Sequence, residues 1–221
     1  MNDVFALDQQ WEAFNSSVLL EVRRPTGVFT CSGVAISPTT ILTAAHCLDG
    51  EVLEIKVFNT ITYDPQAPFF EVKSSEIHPD YKPKISAYQN DIAKIRLKKK
   101  LPSSIIFHPV YPKDDITGDF IRFGFGERNK SNNRTVITPK FRFVNILHKV
   151  IELDDHFSMS GDSGGPIFLI KKNKIYLLAI HSTFSKGPQG EFSYNPLVNK
   201  YLDWINSGIR KRTQAPAYPA Q

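Results

Sequence analysis

The hexapeptide Gly161-Asp162-Ser163-Gly164-Gly165-Pro166 lies far downstream of Thr43-Ala44-Ala45-His46-Cys47, with Asn90-Asp91 between them. A serine hydroxyl is a weak nucleophile, because its proton must leave as the oxygen attacks a carbonyl. An imidazole can take that proton, and a carboxylate can hold the imidazole in the tautomer that does so. Glycines beside the serine let the backbone approach a substrate closely and turn N–H groups toward a developing oxyanion. The chain supplies a candidate for each part, so the chemistry on offer is attack of a serine on a carbonyl, as in peptide hydrolysis. Taken singly, His46 also reads as a core histidine and Asp91 as a turn residue before a strand. Only jointly do the segments favour the catalytic reading.

Short strands are the elements that must position these groups. Residues 17–22, 28–36, 40–43, 53–62 and 92–97 are runs rich in Val, Ile, Phe and Thr, punctuated by Pro, Gly, Asp and Ser. A second set follows at 119–124, 140–145, 166–170, 175–181 and 192–194. Between the sets, residues 101–116 carry Pro102, Pro109 and Pro112 and read as the crossing between two halves. One helix is expected over 199–211, where Tyr201, Leu202, Ile205 and Ile209 recur at helical spacing and Trp204 adds bulk to that face. The Pro/Ala-rich tail 213–221 reads as mobile, and 127–134 as an exposed polar loop.

Composition bounds the setting. A chain of 221 residues with 41% apolar and 22% charged residues can build a well-packed core. No stretch has the length of apolar sequence that a membrane span requires. The net charge is +5, and the basic residues cluster in Lys98-Lys99-Lys100, Lys171-Lys172-Asn173-Lys174 and Arg210-Lys211-Arg212. These read as solvated turns and ends, and no helix carries the one-sided basic stripe that would support nucleic-acid binding. The two cysteines, Cys31 and Cys47, are too few for a four-thiolate zinc site. They are either bridged or two reduced thiols. Outside the His46 segment, the histidines have no metal-ligand spacing, and no metal or organic cofactor is expected.

The motifs resemble the chymotrypsin-like (trypsin-fold) serine peptidases. Three segments carry the likeness: Thr43 through Cys47, Asn90-Asp91-Ile92-Ala93-Lys94-Ile95-Arg96-Leu97, and Gly161 through Pro166. His78-Pro79-Asp80-Tyr81 and Leu202-Asp203-Trp204-Ile205 add weaker support. The resemblance implies an all-β fold of two six-stranded antiparallel barrels packed side by side, with a C-terminal helix and the site between the barrels. The halves would run 16–108 and 109–198, followed by the helix at 199–211 and a tail at 212–221. It further implies Ser163 as nucleophile, His46 as general base and then acid, and Asp91 as its orienting partner. The backbone N–H groups of Gly161 and Ser163 would form the oxyanion hole, and Ser182 would sit close to Asp91. A Cys31–Cys47 disulfide beside the histidine is also implied, and with it an oxidising, secreted or periplasmic location.

Specificity follows from the same matching. The residue six before the nucleophile sets the floor of the primary pocket, and here it is Phe157 rather than an aspartate. Asp154 and Asp155 are displaced from that position, so arginine or lysine preference is not supported. Ser158, Ser160 and the segment Ile180-His181-Ser182-Thr183-Phe184 would form the walls. A histidine just before the pocket-wall serine is similar to the glutamyl endopeptidases, which set that imidazole against a substrate carboxylate. Two hydroxyls and an imidazole that charges near neutral pH could offset the desolvation of such a carboxylate. The competing reading has His181 packing under the pocket, with Phe157 and Phe184 shaping a small apolar slot.

Activation is a separate expectation. Active relatives pair a new N-terminal ammonium with the aspartate before the nucleophile, here Asp162. This chain lacks the usual Ile-Val-Gly-Gly start, so trimming would create an end at Val4 or Phe5, or Asp162 finds an internal partner. The partners expected are protein or peptide substrates, with an inhibitor or an activating peptidase as further candidates. A zymogen, or a non-catalytic homologue acting as a binding protein, is the alternative. Triplets at Asn15, Asn129 and Asn133 match the glycosylation pattern.

Overall fold

A computed structural model describes residues 15–83, 89–127, 134–137, 142–188 and 190–207. Val4, Phe5, Asn129, Asn133 and the tail lie outside the described residues. Strands β1 (Ser17–Arg24), β2 (Gly27–Ser37), β3 (Thr40–Thr43), β4 (Glu54–Phe58), β5 (Phe70–Ile77) and β6 (Ala93–Leu97) close into a barrel in the order β1-β2-β3-β6-β5-β4. Alternation along β1 explains the closure. Val18, Leu20 and Val22 point into the barrel core, while Leu19 packs outward against Phe58 and Phe125. The strand β5 was not anticipated, because its Lys, Ser and Glu residues break the alternation and its side chains are at most half-buried.

The second half holds β7 (Asp119–Gly124), β8 (Thr135–Ile137), β9 (Arg142–Leu147), β10 (Val150–Asp154), β11 (Pro166–Lys171), β12 (Lys174–Ile180), β13 (Thr183–Gly187) and β14 (Gly190–Pro196). These form two four-stranded sheets, β12-β11-β7-β8 and β13-β14-β10-β9. Ile151 and Leu153 from one sheet pack with Ile167, Leu169 and Leu178 from the other, so both sheets close over one core. Among the described residues this half is two sheets on a shared core, whereas the first is a closed six-stranded barrel. The basic run 171–174 is the β11–β12 hairpin turn. Lys172 and Asn173 both have positive φ there, as a two-residue turn of this kind demands.

Val34, Leu42 and Ile92 from the barrel join Ile121, Phe123, Phe168 and Ile180 in the seam between the halves. The expected C-terminal helix is shorter than its apolar periodicity suggests. A 3-10 turn (Val198–Tyr201) leads into α1 (Leu202–Asn206), and Ser207 is already extended. Lys94, fully buried on β6, donates to the carbonyls of Trp204 at 2.7 Å and Ser207 at 3.1 Å. A cation from the first half thus caps the last turn of the second. Residues 208–211 of the expected helix lie outside the described residues.

Candidate active site

Sheet register brings the base and its carboxylate together. Strands β3 and β6 are antiparallel neighbours with Thr43 opposite Ala93. The segment just after β3 and the one just before β6 therefore meet at one barrel edge, and these carry His46 and Asp91. His46 sits in a single 3-10 turn, Ala45–Cys47. Its Nδ1 lies 2.7 Å from Asp91 Oδ2, and its backbone N–H donates to Asp91 Oδ1 at 2.8 Å. The Ser182 hydroxyl also donates to Asp91 Oδ2. Asp91 is fully buried, with donors on both oxygens. Burial alone would lower the His46 pKa, but the Asp91 hydrogen bond and charge outweigh it and the net shift is upward.

From behind, the Arg24 guanidinium donates to the carbonyls of Cys47 at 3.0 Å and His46 at 3.4 Å, and also to that of Asp49. Its charge opposes protonation of His46. The Cys31–Cys47 disulfide is formed, tying β2 to the residue after His46.

The nucleophile segment comes from the other half by the same logic. Pro166, the first residue of β11, pairs with Ile180, the last of β12. The ladder continues past both ends through Gly164 N–H to His181 O at 2.7 Å and His181 N–H to Gly165 O at 2.8 Å. Ser163 is thereby set beside residues 181–184. Gly164 adopts φ +87°, and a Cβ there would collide with the Ser32 carbonyl oxygen and the Thr43 hydroxyl. Only glycine lets this turn rest on the first barrel.

Ser163 and His46 line one cleft of about 300 Å³ with Ser158, Met159, Ser160, His181, Ser182, Thr183 and Phe184. Among the described residues, no hydrogen bond joins the Ser163 hydroxyl to His46, a distance that commonly tightens only when substrate binds. The N–H groups of Asp162, Gly164 and Gly165 all have backbone acceptors. Those of Gly161 and Ser163 have none among the described residues, which leaves them available to an incoming oxygen.

The pocket departs from expectation at two residues. Phe157, expected to form its floor, is 53% exposed and does not line the cleft. Its N–H donates to Asp155 Oδ1 in a turn that carries the ring outward, and Met159 lines the cleft instead. His181, expected to charge near neutral pH, is held down to about 3, first by burial and second by Arg122. Its Nδ1 faces both Asn195 Oδ1 at 3.0 Å and Arg122 Nη1 at 2.9 Å, so the neutral ring meets an acceptor and a cation at the same nitrogen.

Arg122 is the functional candidate the sequence reading missed. It is fully buried on β7, with Nη1 2.8 Å from His181 Nε2, 2.9 Å from Ser158 Oγ and 3.0 Å from Asp155 Oδ2. Its Nη2 lies 3.8 Å from Asp162 Oδ2, so Asp162 does have an internal cation nearby. Asp162 also accepts from the N–H groups of Gly126 at 2.8 Å and Met159 at 3.1 Å. Burial would raise the pKa of Asp155, but Arg122 and the surrounding donors hold it below the usual carboxylate range. The available signal was an arginine at a core register of the strand Asp119–Gly124, where an unpaired charge would be prohibitive.

The comparisons with known proteins agree with this architecture. The vitamin K-dependent protein C of Rattus norvegicus is 24% identical over 239 residues, covering 93% of this chain and 50% of that protein. The CLIP domain-containing serine protease B10 of Anopheles gambiae is 26% identical over 242 residues, covering 87% and 66%. Human granzyme M is 35% identical over 85 residues, 38% of this chain and 33% of its own. The chain spans about half the length of the protein C relatives. The family profile described as Trypsin matches residues 8–205, a span that holds both sides of the cleft, and the chain therefore belongs to that family.

Proposed function

We propose that this chain is a serine endopeptidase that hydrolyses peptide bonds through an acyl-enzyme on Ser163. The carrying observation is the His46 Nδ1–Asp91 contact at 2.7 Å in a cleft shared with Ser163. Asp91 holds the imidazole so that Nε2 can take the Ser163 proton and later return it to the leaving amine. The N–H groups of Gly161 and Ser163 receive the oxyanion. No step calls for a metal or an organic cofactor. The substrates are proteins or peptides, as the names of the relatives suggest, and the disulfide suits a secreted or periplasmic setting. An inhibitor or an activating peptidase would act on the same cleft or its loops.

The preferred residue before the scissile bond is Glu or Asp. Ser160 offers a hydroxyl to a carboxylate, and Arg122 stands directly behind His181 and Ser158, whose own hydroxyl donates to Asp155 Oδ2 at 2.8 Å. A bound carboxylate would also favour protonation of His181. A second reading, a small or apolar residue, is favoured by the neutral His181 and by Met159 and Phe184 on the walls. Cleavage of a mixed peptide library, with Ser163→Ala beside it, decides between them. Cuts after Glu or Asp that vanish in the variant support the proposal, and cuts after small or apolar residues keep the triad and discard the acidic pocket. An absence of both cleavage and phosphonate labelling at Ser163 would point to a zymogen or a binding homologue.

A further inference from the structure

Resting on the endopeptidase reading above, we infer that the Ser32 hydroxyl is a positioning residue that fixes the orientation of the oxyanion donors. Ser32 lies on β2 of the first barrel and is 1% exposed, yet its partners belong to the other half of the molecule. Its hydroxyl donates to the Gly161 carbonyl at 2.7 Å and accepts from the Phe125 N–H at 2.9 Å. Its backbone N–H donates to the Ser163 carbonyl at 2.7 Å. The two residues whose N–H groups would bind the oxyanion thus both have their carbonyls held by Ser32.

This matters most at Gly161. Its φ is +98°, a conformation open to glycine, and a Cβ there would meet the Phe125 carbonyl oxygen at 2.9 Å. The peptide planes before and after Gly161 share its Cα. The plane before it is held through the Ser160 carbonyl, which accepts from the Glu127 N–H at 3.1 Å. The plane after it is held by the Asp162 N–H on Met159 O and by Ser32, so loss of the hydroxyl loosens one of the holds that aim the Gly161 N–H. Any residue except proline at position 32 would supply the backbone bond to Ser163, but only a hydroxyl of this reach both donates to Gly161 and accepts from Phe125. The preceding residue, Cys31, is tied to Cys47 beside His46. The dipeptide Cys31-Ser32 therefore references the base and the oxyanion donors to the same short stretch of strand.

The test compares the wild-type protein with Ser32→Ala, Ser32→Gly and Ser32→Thr. Reactive sites are counted with a fluorophosphonate so that kcat refers to folded molecules only. Loss of the hydroxyl in Ser32→Ala is expected to lower kcat by about 10- to 100-fold, short of the full loss of a donor, with KM nearly unchanged. Inhibition by a peptide aldehyde, which forms an oxyanion on the enzyme, should weaken in the same proportion as kcat. Binding of the corresponding non-covalent peptide amide should not weaken, and Ser32→Thr, which keeps the hydroxyl, should stay near wild type. A purely structural role would lower the melting temperature and the number of titrated sites while leaving kcat per site intact, and that result overturns the inference. Should Ser32→Ala yield no titratable sites, Ser32→Gly provides the same readout. Failure of both with loss of the folding transition assigns Ser32 to folding and likewise overturns it. A wild-type protein that neither labels nor cleaves rejects the endopeptidase reading and this inference with it, whereas wild-type turnover unaffected in Ser32→Ala rejects this inference alone.

Discussion

On the barrel side of the cleft, three donors converge on a fully buried Asp91, and a disulfide and an arginine brace the turn that carries His46. On the opposite side, Met159 and Phe184 are 47% and 40% exposed. The groups proposed to transfer protons hang from strand ends whose register is fixed by ladders of hydrogen bonds. The residues that would select a substrate sit on loop turns and on the hairpin β13–β14, which pairs on one edge only. Residues in the first kind of region have one arrangement compatible with the fold, and those in the second kind have several. The fold therefore fixes His46 and Asp91 and leaves Met159 and Phe184 room to adjust.

The largest effect should come from the rigid side. Replacing Asp91 with Asn keeps the shape but offers His46 an amide, which stabilises the wrong tautomer. The expected result is a fall in kcat on the order of 10⁴, the size associated with this change in a Ser-His-Asp triad. A melting temperature close to wild type would show that the loss is chemical. A drop of less than tenfold would mean that the barrel side does not carry the reaction.

Removing the bridge with the double substitution Cys31→Ala and Cys47→Ala should cost about 3 kcal/mol in the chain-entropy account of such a loop. Denaturant unfolding measures the loss directly, and kcat per titrated site reports whether His46 has moved. Stability lost with kcat retained would show that Arg24 and Asp91 suffice to hold the base. Both lost together would make the disulfide part of the site.

The same contrast explains what could be read from the chain. The motifs that hold His46, Asp91, Gly161 and Ser163 were legible because each brings obligatory neighbours with it, whereas Ser182 was reached only through the family resemblance. The strands rich in Val, Ile and Phe were legible because they alternate into a core. Strand β5, with polar residues on both faces, and β13, exposed along most of its length, form by pairing with neighbours and leave no periodic trace. Phe157 was misplaced because counting back from Ser163 gives a position but no direction for the side chain. Arg122 was hidden because its partners, Asp155, Ser158 and His181, lie on other elements and meet it only in the fold.

The pH dependence sharpens the comparison further. His46 must be neutral to act as base, and its pKa is raised, so activity should rise with pH along a limb above the ordinary histidine value of 6.5. Arg24 pushes that pKa down, so Arg24→Gln should move the limb upward. The lost carbonyl contacts should also lower kcat by about tenfold, the worth of roughly one charged hydrogen bond. The profile of kcat/KM for both proteins checks the direction. His181 is neutral well below this range, so His181→Gln should leave the limb in place. A limb that moves in His181→Gln and not in Arg24→Gln would assign the titration to the wrong side of the cleft.

The smallest effect is expected at the loose side. Phe184 lines the cleft from β13 with 40% of its surface already in water. Truncation to alanine removes only part of an apolar contact, so KM should change by about threefold, less than 1 kcal/mol. The groups proposed to move protons and bind the oxyanion are untouched, and kcat should stay level. Larger residues before the scissile bond should gain most, because the ring narrows that wall. Steady-state kinetics on a matched series of peptides separates the two parameters. A fall in kcat as large as the change in KM would mean that Phe184 orients the scissile bond rather than merely contacting the side chain before it. In that case the two sides of the cleft are mechanically coupled on this wall through Ser182, which lies two residues before Phe184 and donates to Asp91.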